Sequence, residues 1–482
     1  MSDSYYLSKP LTSRHVRVYG PGFVGDKAGE RIAKLPATVE AGFEPNPFSV
    51  LTTGFFRDFY GRNGVNEAIR QGMGPEVIRD RIWHGNFSAD EHKVFLEISG
   101  NYKHRLLIAR STAFGDADGT GVYGSEIFKQ QDLSSFERHV KHILSSQFTP
   151  TAMAFRRCAG LPEGMAVTIE PLIGNRHRNS YSCRHFAPPL AGFGYALGPD
   201  KKSHIEFVYG LGSRAVSGRD GIRVFENEAN KKINEIYSSS ALHRAMLQHI
   251  CSVDTVHGVV ASTAAGNLPS LIGRDETFAP LFEKMDIMAR LCGPQYFEWA
   301  AQAVDGGKLK FYLLQIAGVK PETVFPSPAD PARVLFTASE LRGSGCRECT
   351  DIVYLHHPDD VKHLIEYNNT HSNYLLVYSG GLVKSDAATF GFPDCDNASV
   401  VLEISGREIS HAIRHWGGVF QASNKLFASV DLSGFNWQNL DDHSAGTVKI
   451  GGMHVIKLKV RVTAGLINNE SQLIVEALPG QK

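Results

Sequence analysis

His411 is the residue whose type and setting best suit covalent chemistry. The apolar run 400–404 has the length and composition of a buried strand, and Ser410 stands at the N-cap position of a short helix. His411 would then lie in the first turn of that helix, where free backbone N–H groups favour a negative group such as a phosphoryl. A neutral imidazole is a good nucleophile near neutral pH. The alternative is a histidine that only caps or supports the helix.

Two basic side chains stand beside glycine-rich segments. Lys27 follows the turn 20–25 at the predicted start of a helix, although a Walker A ending is absent. Arg110 follows a predicted strand, 105–109, and leads into a loop of glycines and aspartates. A guanidinium binds phosphate oxygens in a planar fork, and such a loop could close over a ligand. A surface lysine beside a structural turn is the alternative for Lys27.

Glu298 and Gln315 fall on two predicted strands that the polar turn 305–307 joins into a hairpin. Oxygen ligands on adjacent strands suit Mg²⁺, which takes few protein ligands and leaves its other positions to phosphates and water. An exposed pair on an edge hairpin is the alternative. The lone CxxC at Cys346 and Cys349 lacks a second ligand pair, and we interpret it as structural.

The composition limits the classes of function. The 482 residues carry 50 Lys plus Arg and 50 Asp plus Glu, and this balance argues against a general nucleic-acid binder. No run approaches about 18 apolar residues, and the N-terminus lacks an apolar signal core, so we expect a cytoplasmic protein without a membrane span. Seven scattered cysteines do not suggest a disulfide framework.

A group of prolines between residues 321 and 331 marks the clearest domain boundary. Helical and strand patterns alternate before it, whereas the part after it is rich in strands and has few long helices. We therefore expect a linker over 321–335 and a separate domain over 336–482 that contains His411.

Together, these stretches resemble the phosphoenolpyruvate-utilising dikinases, the family of pyruvate phosphate dikinase, phosphoenolpyruvate synthase and rifampin phosphotransferase. The similarity covers roughly residues 18–318 and 395–430, and the motifs keep the family's order. The matching segments are Gly25-Asp26-Lys27, Phe48–Thr53 with Phe55-Phe56, Arg110-Ser111-Thr112-Ala113 with Asp116, Ser145–Phe148 with Arg156 and Arg157, Ala166–Glu170, Gly210-Leu211-Gly212, Phe297–Ala300, Leu314-Gln315 and Ser410-His411-Ala412.

The resemblance implies a fold and a reaction. It implies an α/β (α+β) chain in which an ATP-grasp domain, with lobes over 14–160 and 161–320, precedes a smaller swivelling phosphohistidine domain over 336–482. It also implies an ATP-dependent phosphotransferase of the dikinase type that uses ATP and Mg²⁺. The β-phosphate of ATP would pass through His411 to an acceptor, with AMP and phosphate as the other products.

The resemblance also assigns roles to single residues and suggests partners. The implied nucleotide-binding residues are Lys27, Arg110, Thr112, Glu170, Gly210, Gly212, Glu298 and Gln315. Glu298 and Gln315 would hold the metal, and His411 and Arg110 would be catalytic. The acceptor is expected to be a small molecule, bound by this chain or by a separate subunit, and a homodimer is common in the family. We expect this chain to lack the family's C-terminal phosphoenolpyruvate-binding barrel.

The sequence departs from the family at charged positions. Ala317 stands where the family has an arginine, Ser213 replaces an acid, and Glu170 replaces a glutamine. An arginine that stabilises a transferring phosphoryl contributes roughly several kcal/mol to the transition state. A second hypothesis is therefore a non-catalytic nucleotide-binding or regulatory protein. A third is an ATP-grasp ligase that forms an acyl phosphate without a phosphohistidine.

Overall fold

The protein's structure is a computed structural model, and it describes residues 6–7, 15–102, 105–116, 122–129, 133–178, 184–197, 203–212, 222–226, 250–271, 278–319, 323–338, 340–379, 392–405, 419, 423–431, 440, 444–468 and 470–479. The chain divides into two compact units. The first comprises Met1–Ala117, Tyr123–Thr149 and Pro162–Lys320, and the second comprises Asp118–Val122, Pro150–Leu161 and Pro321–Lys482. Both units combine helices with sheets, so the predicted α/β class is confirmed.

Most of the described helices lie in the first unit. Their bounds are α1 Asp26–Glu40, α2 Arg57–Arg62, α3 Val65–Arg70, α4 Pro75–His84, α5 Ala89–Asn101, α6 Leu133–Ser146, α7 Pro150–Ala159, α8 Ala279–Cys292 and α9 Val361–Thr370. Helices α7 and α9 belong to the second unit. Among the residues that the structure describes, no helix is both long enough and apolar enough to cross a membrane.

The strands form several sheets in each unit. Those of the first unit are β1 Tyr6–Leu7, β2 Val16–Tyr19, β3 Gly22–Phe23, β4 Phe48–Leu51, β5 Leu106–Ala113, β6 Ser125–Lys129, β7 Met165–Pro171, β8 Asn175–His177, β9 His185–Ala187, β10 Ala191–Ala196, β11 His204–Val208, β12 Ile222–Phe225, β13 Ile250–Asp254, β14 Val259–Thr263, β15 Gln295–Ala303 and β16 Leu309–Gly318. Those of the second are β17 Val324–Phe325, β18 Val334–Ala338, β19 Glu340–Arg342, β20 Gly345–Cys349, β21 Ile352–Leu355, β22 Tyr374–Ser379, β23 Ala398–Ser405, β24 Leu426–Asp431, β25 Thr447–Ile450, β26 Met453–Ile456, β27 Val460–Ile467 and β28 Glu470–Ala477.

Sheet I of the first unit has the strand order β2-β4-β7-β5-β6. Strand β7 lies at its centre, and every one of its residues is buried, as its nearly continuous apolar run predicts. Helix α1 contributes Ala28 to a cluster with Val16 and Val50, so it covers one part of this sheet. The side chains farther along β5 and β7 form part of the site described below.

Sheet II of the first unit has the order β12-β11-β10-β15-β16, and all its neighbouring strands are antiparallel. Successive side chains of β15 point to opposite faces. Phe297 and Trp299 join the core cluster that also contains Met285 of α8. Glu298 therefore faces away from this core. A third sheet of the first unit has the strand order β14-β13-β9-β8.

The second unit contains a seven-stranded sheet in the order β19-β24-β23-β22-β21-β26-β25. Its central strands β21, β22, β23 and β24 run parallel to one another, whereas the outer strands β19 and β26 pair with them antiparallel. The central strands are mostly apolar, as expected for parallel strands that are covered on both faces. Strand β23 confirms the strand predicted over 400–404. The predicted helix with Ser410 and His411 lies outside the described residues.

Two segments tie earlier parts of the chain to the second unit. In α7, Arg157 forms an ion pair with Asp396, and Asp396 also accepts a hydrogen bond of 2.9 Å from Asn368. Within the predicted linker, Val324–Phe325 forms the short strand β17, which pairs in parallel with β27. The remainder of the linker leads directly into β18, the partner of β28.

Candidate functional site

Arg110 connects sheets I and II of the first unit. It lies on β5, and its Nε atom is 3.3 Å from Oε1 of Glu170 on β7 of the same sheet. Its Nη1 atom is 3.3 Å from Oε2 of Glu298 on β15 of sheet II. The arginine is thus placed where the two sheets meet, with about a quarter of its side chain exposed. The space where sheets I and II meet is called the cleft below. A cation there could bind phosphate oxygens, which is the role that the sequence predicts for Arg110.

Glu170 is the most deeply buried acid of this cluster. Its Oε2 atom accepts a hydrogen bond of 2.8 Å from Nη1 of Arg31 and one of 2.9 Å from Nδ2 of Asn46. Its Oε1 atom accepts no hydrogen bond of good geometry among the described residues, and the residue has no exposed surface. A buried carboxylate needs such partners, because desolvation otherwise disfavours its charge. The acid at the position of the family's glutamine therefore comes with its own arginine, Arg31.

Glu298 and Gln315 lie directly opposite each other on β15 and β16, as the predicted hairpin requires. A β-bulge follows Glu298. The hydroxyl of Tyr296 donates to Oε1 of Glu298 over 3.2 Å. Nε2 of Gln315 is buried and has no hydrogen-bond partner among the described residues. An unsatisfied buried amide costs stability in the free protein, and a ligand oxygen that accepted a hydrogen bond from it would remove that cost.

A row of residues extends from Glu298 across sheet II and ends at a second acid, Glu206. Glu298, Phe193 and Glu206 oppose one another on β15, β10 and β11, so they share one face. Glu206 is almost fully buried, and Nη2 of Arg223 lies 3.6 Å from its carboxylate. Two strand spacings separate Glu206 from Glu298, which is about 10 Å between their backbones.

The residues present fit a magnesium ion that is held mainly by a nucleotide. Glu298 and Gln315 supply two side-chain oxygens from adjacent strands, and these oxygens, not the donor Nε2 of Gln315, would bind the ion. The described residues contain no group of three or more His, Cys, Asp or Glu side chains that could hold an ion alone. Mg²⁺ commonly takes one or two protein ligands and fills the rest with phosphate and water.

Lys27 is held beside the end of β5. Its Nζ atom is 3.0 Å from Oδ1 of Asp116, a carboxylate that is only 1% exposed. Burial raises the pKa of Asp116, and the nearby ammonium of Lys27 opposes that shift. Gly25 makes this approach possible, because a Cβ atom there would lie 1.9 Å from Oγ1 of Thr112 and its φ is +85°. The glycine turn thus fixes the position of Lys27.

Three of the predicted nucleotide-binding residues have structural partners. The hydroxyl of Thr112 donates to the carbonyl of Val24 over 2.6 Å, so it holds the glycine turn. Gly210 lies against β13, where a Cβ atom would be 2.4 Å from the carbonyl oxygen of Cys251. Gly212 approaches β10 in the same way at Gly192. His411 lies outside the described residues.

The sequence did not single out Arg31, Asn46 or Glu206, and Asp116 entered only as part of a motif. Arg31 lies on one face of α1, and Asn46 lies in a proline-flanked loop, so local patterns give no reason to bring either one to Glu170. Glu206 did carry a signal, because a single acid within the buried strand β11 requires a partner or a ligand.

The comparison with protein families gives a match that includes the residues of the cleft. The family model of the pyruvate phosphate dikinase AMP/ATP-binding domain matches residues 23–332, well over half of the chain. The chain belongs to the pyruvate phosphate dikinase family. The matched range of this dikinase family contains every residue of the cleft, from Lys27 to Gln315. None of the curated proteins compared with the chain matches it.

Proposed function

We propose that this protein is an ATP-dependent phosphotransferase of the dikinase type. The observation that supports this best is the meeting of Arg110, Glu298 and the unsatisfied Gln315 between two sheets of an AMP/ATP-binding domain. Phosphoryl transfer depends mainly on positioning and charge neutralisation, and these residue types provide both. The acceptor is a small molecule, bound by this chain or by a separate subunit.

Each charged residue of the cleft has a role in this proposal. Lys27 and Arg110 bind phosphate oxygens, and Glu298 and Gln315 hold the metal. Mg²⁺, when bound, neutralises charge on the phosphates during transfer. Because Arg110 pairs with Glu170 and Glu298 in the free protein, its orientation is fixed before the nucleotide arrives.

His411 is the proposed nucleophile. A nitrogen of its imidazole forms a bond to the β-phosphorus of ATP, and the bond from that phosphorus to the bridging oxygen of the α-phosphate breaks, which releases AMP. Water then removes the γ-phosphoryl group as phosphate. The remaining phosphoryl group passes from the histidine to the acceptor, and the imidazole is regenerated. The second unit, which would carry His411 to the acceptor, is the proposed swivelling domain.

The experiment is incubation with β-³²P-labelled ATP and Mg²⁺ without acceptor, for wild type and His411→Ala. We expect acid-labile, base-stable label and AMP with the wild type only. His357→Ala is the matched control, because His357 lies in the same unit, well before His411 in the sequence, and its side chain is largely exposed. Equal AMP or ADP formation by wild type and His411→Ala would exclude His411 as the carrier and favour an ATP-grasp ligase.

A second candidate is a nucleotide-binding protein without phosphoryl transfer. Two observations favour it: Ala317 is buried at the position of a family arginine, and Arg110 already has two carboxylate partners. This candidate predicts that ATP binds to the protein, while neither AMP nor labelled protein forms. Isothermal titration with a non-hydrolysable ATP analogue, run beside the labelling experiment, distinguishes it from the dikinase.

A further inference from the structure

A cavity of about 480 Å³ lies beyond Glu170, at the end of the cleft away from Arg110. Its walls include the turn after β7, with Leu172, and the far ends of β5 and β6. On the side of sheet II it is bounded by Gln302 and by Tyr312, whose hydroxyl donates to Gln302 over 2.9 Å. The volume is within the range of small-molecule sites.

Three cations face this cavity: Arg105, Lys129 and Arg176. All three are exposed, and none of their side chains has an ion pair or hydrogen bond among the described residues. The cavity lining contains no aspartate or glutamate. Glu44 is next to the lining residue Pro45, but it is paired with Lys310 at 3.2 Å. Unpaired like charges around one concave surface raise the local concentration of anions.

The cavity continues the nucleotide cleft along the same strands. Gln302 is four residues beyond Glu298 on β15, and Leu106 is four residues before Arg110 on β5, so each step covers about 13 Å. Asn46 lines the cavity and also donates to Glu170. If the phosphates of a nucleotide lie at Arg110 and the nucleotide extends along these strands past Glu170, its nucleoside end reaches the cavity. A plain adenosine has no charge that requires three cations there.

We propose that this cavity is a second anion subsite, which binds a phosphate monoester at the nucleoside end of the nucleotide. The phosphate is either borne on the ribose of the same nucleotide or carried by a separate phosphorylated ligand that binds beside it. Arg105 and Arg176 offer planar donor forks to its oxygens, and Lys129 adds a point charge. This inference rests on the proposed nucleotide site only for the position of the ribose.

The test measures binding by isothermal titration to wild type and to the triple variant R105Q/K129Q/R176Q. The probes are ADP, ADP with an added 2′- or 3′-phosphate, and inorganic phosphate, the last with and without saturating ADP. The matched control is R57Q/R138Q/K308Q, which removes three exposed and unpaired positive charges of the first unit outside the cavity. Both variants are expected to fold, because none of these side chains has a hydrogen bond or an ion pair among the described residues.

If the phosphate belongs to the nucleotide, ADP with an added 2′-phosphate or ADP with an added 3′-phosphate binds wild type at least tenfold more tightly than ADP. The triple variant loses that advantage, and the control keeps it. If the phosphate comes from a separate ligand, inorganic phosphate binds to wild type, and the triple variant loses at least tenfold of that affinity. The subsite is ruled out if the triple variant loses neither the tenfold advantage of the phosphorylated ADP nor the affinity for inorganic phosphate. Failure of ADP to bind wild type would count against the proposed function, while the titration of phosphate alone would still decide the subsite.

Discussion

Arg110 is the residue on which the chemistry of the cleft depends. Its two carboxylate neighbours fix the guanidinium, yet they also compete with any phosphate for its N–H groups. A metal at Glu298 would relieve one of these interactions, because the carboxylate would then have another cation. Glu170 differs, since it cannot leave its buried position and also compensates Arg31. We therefore expect the two acids to have separate effects, Glu170 on stability and Glu298 on the proposed nucleotide binding.

Glu170→Gln is expected to lower the free energy of unfolding of the first unit by about 3 kcal/mol. The change leaves Arg31, with only 7% of its side chain exposed, without its counter-charge. Urea denaturation measures the effect. The matched control is Glu97→Gln, which removes an acid from an exposed pair with Arg17 and should cost less than about 1 kcal/mol. Equal small losses in both variants would mean that the buried cluster adds no stability.

Gln315→Met is expected to separate ligand binding from stability. The variant keeps the side-chain volume, removes the oxygen that would bind the metal and removes an amide nitrogen that has no partner among the described residues. Because no described hydrogen bond of that nitrogen is lost, the unfolding free energy should change by less than about 1 kcal/mol. Its affinity for ATP with Mg²⁺ should fall about tenfold, or about 1.4 kcal/mol. Titration in EDTA is the control, because the difference should vanish without metal. A large loss of stability with unchanged affinity would assign Gln315 a purely structural role.

Residue types at motif positions predicted the chemistry of the cleft only in part. Arg110, Glu298 and Gln315 were accessible from sequence because each stands on a strand with a recognisable pattern. The partners Arg31 and Asn46 were not, because they come from a helix face and a loop that only the packing of α1 and β7 brings together. The hydroxyl of Thr112 also could not be placed, since its bond to Val24 depends on the glycine turn.

At the scale of elements, strong hydrophobic patterns predicted positions well. The strand predicted over 400–404 is Ala398–Ser405, and the helix predicted to start at Lys27 is Asp26–Glu40. Strand β5 is longer than predicted, because its polar residues Arg110 and Ser111 remain in register with β7. A polar residue in a central strand breaks the apolar pattern, although its backbone still pairs.

The four-stranded sheet β14-β13-β9-β8 should confer a pH dependence on the first unit. His177 and His185 are paired on β8 and β9, with ring centroids 5.7 Å apart. Burial lowers the pKa of His177 to about 4, and His185 adds a smaller effect. An unfolded histidine titrates near about 6.5, so between these values the unfolded chain binds a proton that the folded chain does not. The stability of the unit should therefore fall as the pH falls from about 6.5 to 4.

Replacement of His177 by phenylalanine checks this assignment. The ring volume is retained and the titrating group is removed, so the variant should lose less stability than wild type between pH 7 and pH 4.5. Thermal unfolding across this range gives the two profiles, and their difference isolates His177 from the other histidines. Parallel profiles would show that His177 does not contribute to the pH dependence.

At the scale of the whole molecule, the proposed nucleotide residues other than His411 fall in one unit. The proline-rich segment 321–335 predicted a boundary, and the contacts divide the chain at residue 320 as well as around α7. The assignment of α7 could not be predicted, because its sequence position lies within the family domain. Its partner Asp396 lies 239 residues farther along the chain. Local patterns carry no information about a partner at such a separation.

Hydrogen exchange should reveal the division into units. ADP at a concentration about 100 times its Kd stabilises the state that binds it by about 2.7 kcal/mol. Amides of β5, β7, β15 and β16 that exchange through unfolding of the first unit should therefore exchange about 100-fold more slowly. Amides of β22 and β23 should be unaffected. Mass spectrometry of peptides from both sets measures this, and protection confined to β22 and β23 would contradict the location of the nucleotide site.

The discontinuity of the second unit also has a consequence for synthesis on the ribosome. Arg157 of helix α7 is synthesised 239 residues before its partner Asp396. At about 5–20 residues per second, the nascent helix waits on the order of 10 to 50 seconds for that partner. Throughout this interval Ala152, Ala154 and Phe155, which are buried in the finished protein, lack part of their final surroundings. The segment around α7 is therefore one that a chaperone would protect while the chain is still being translated.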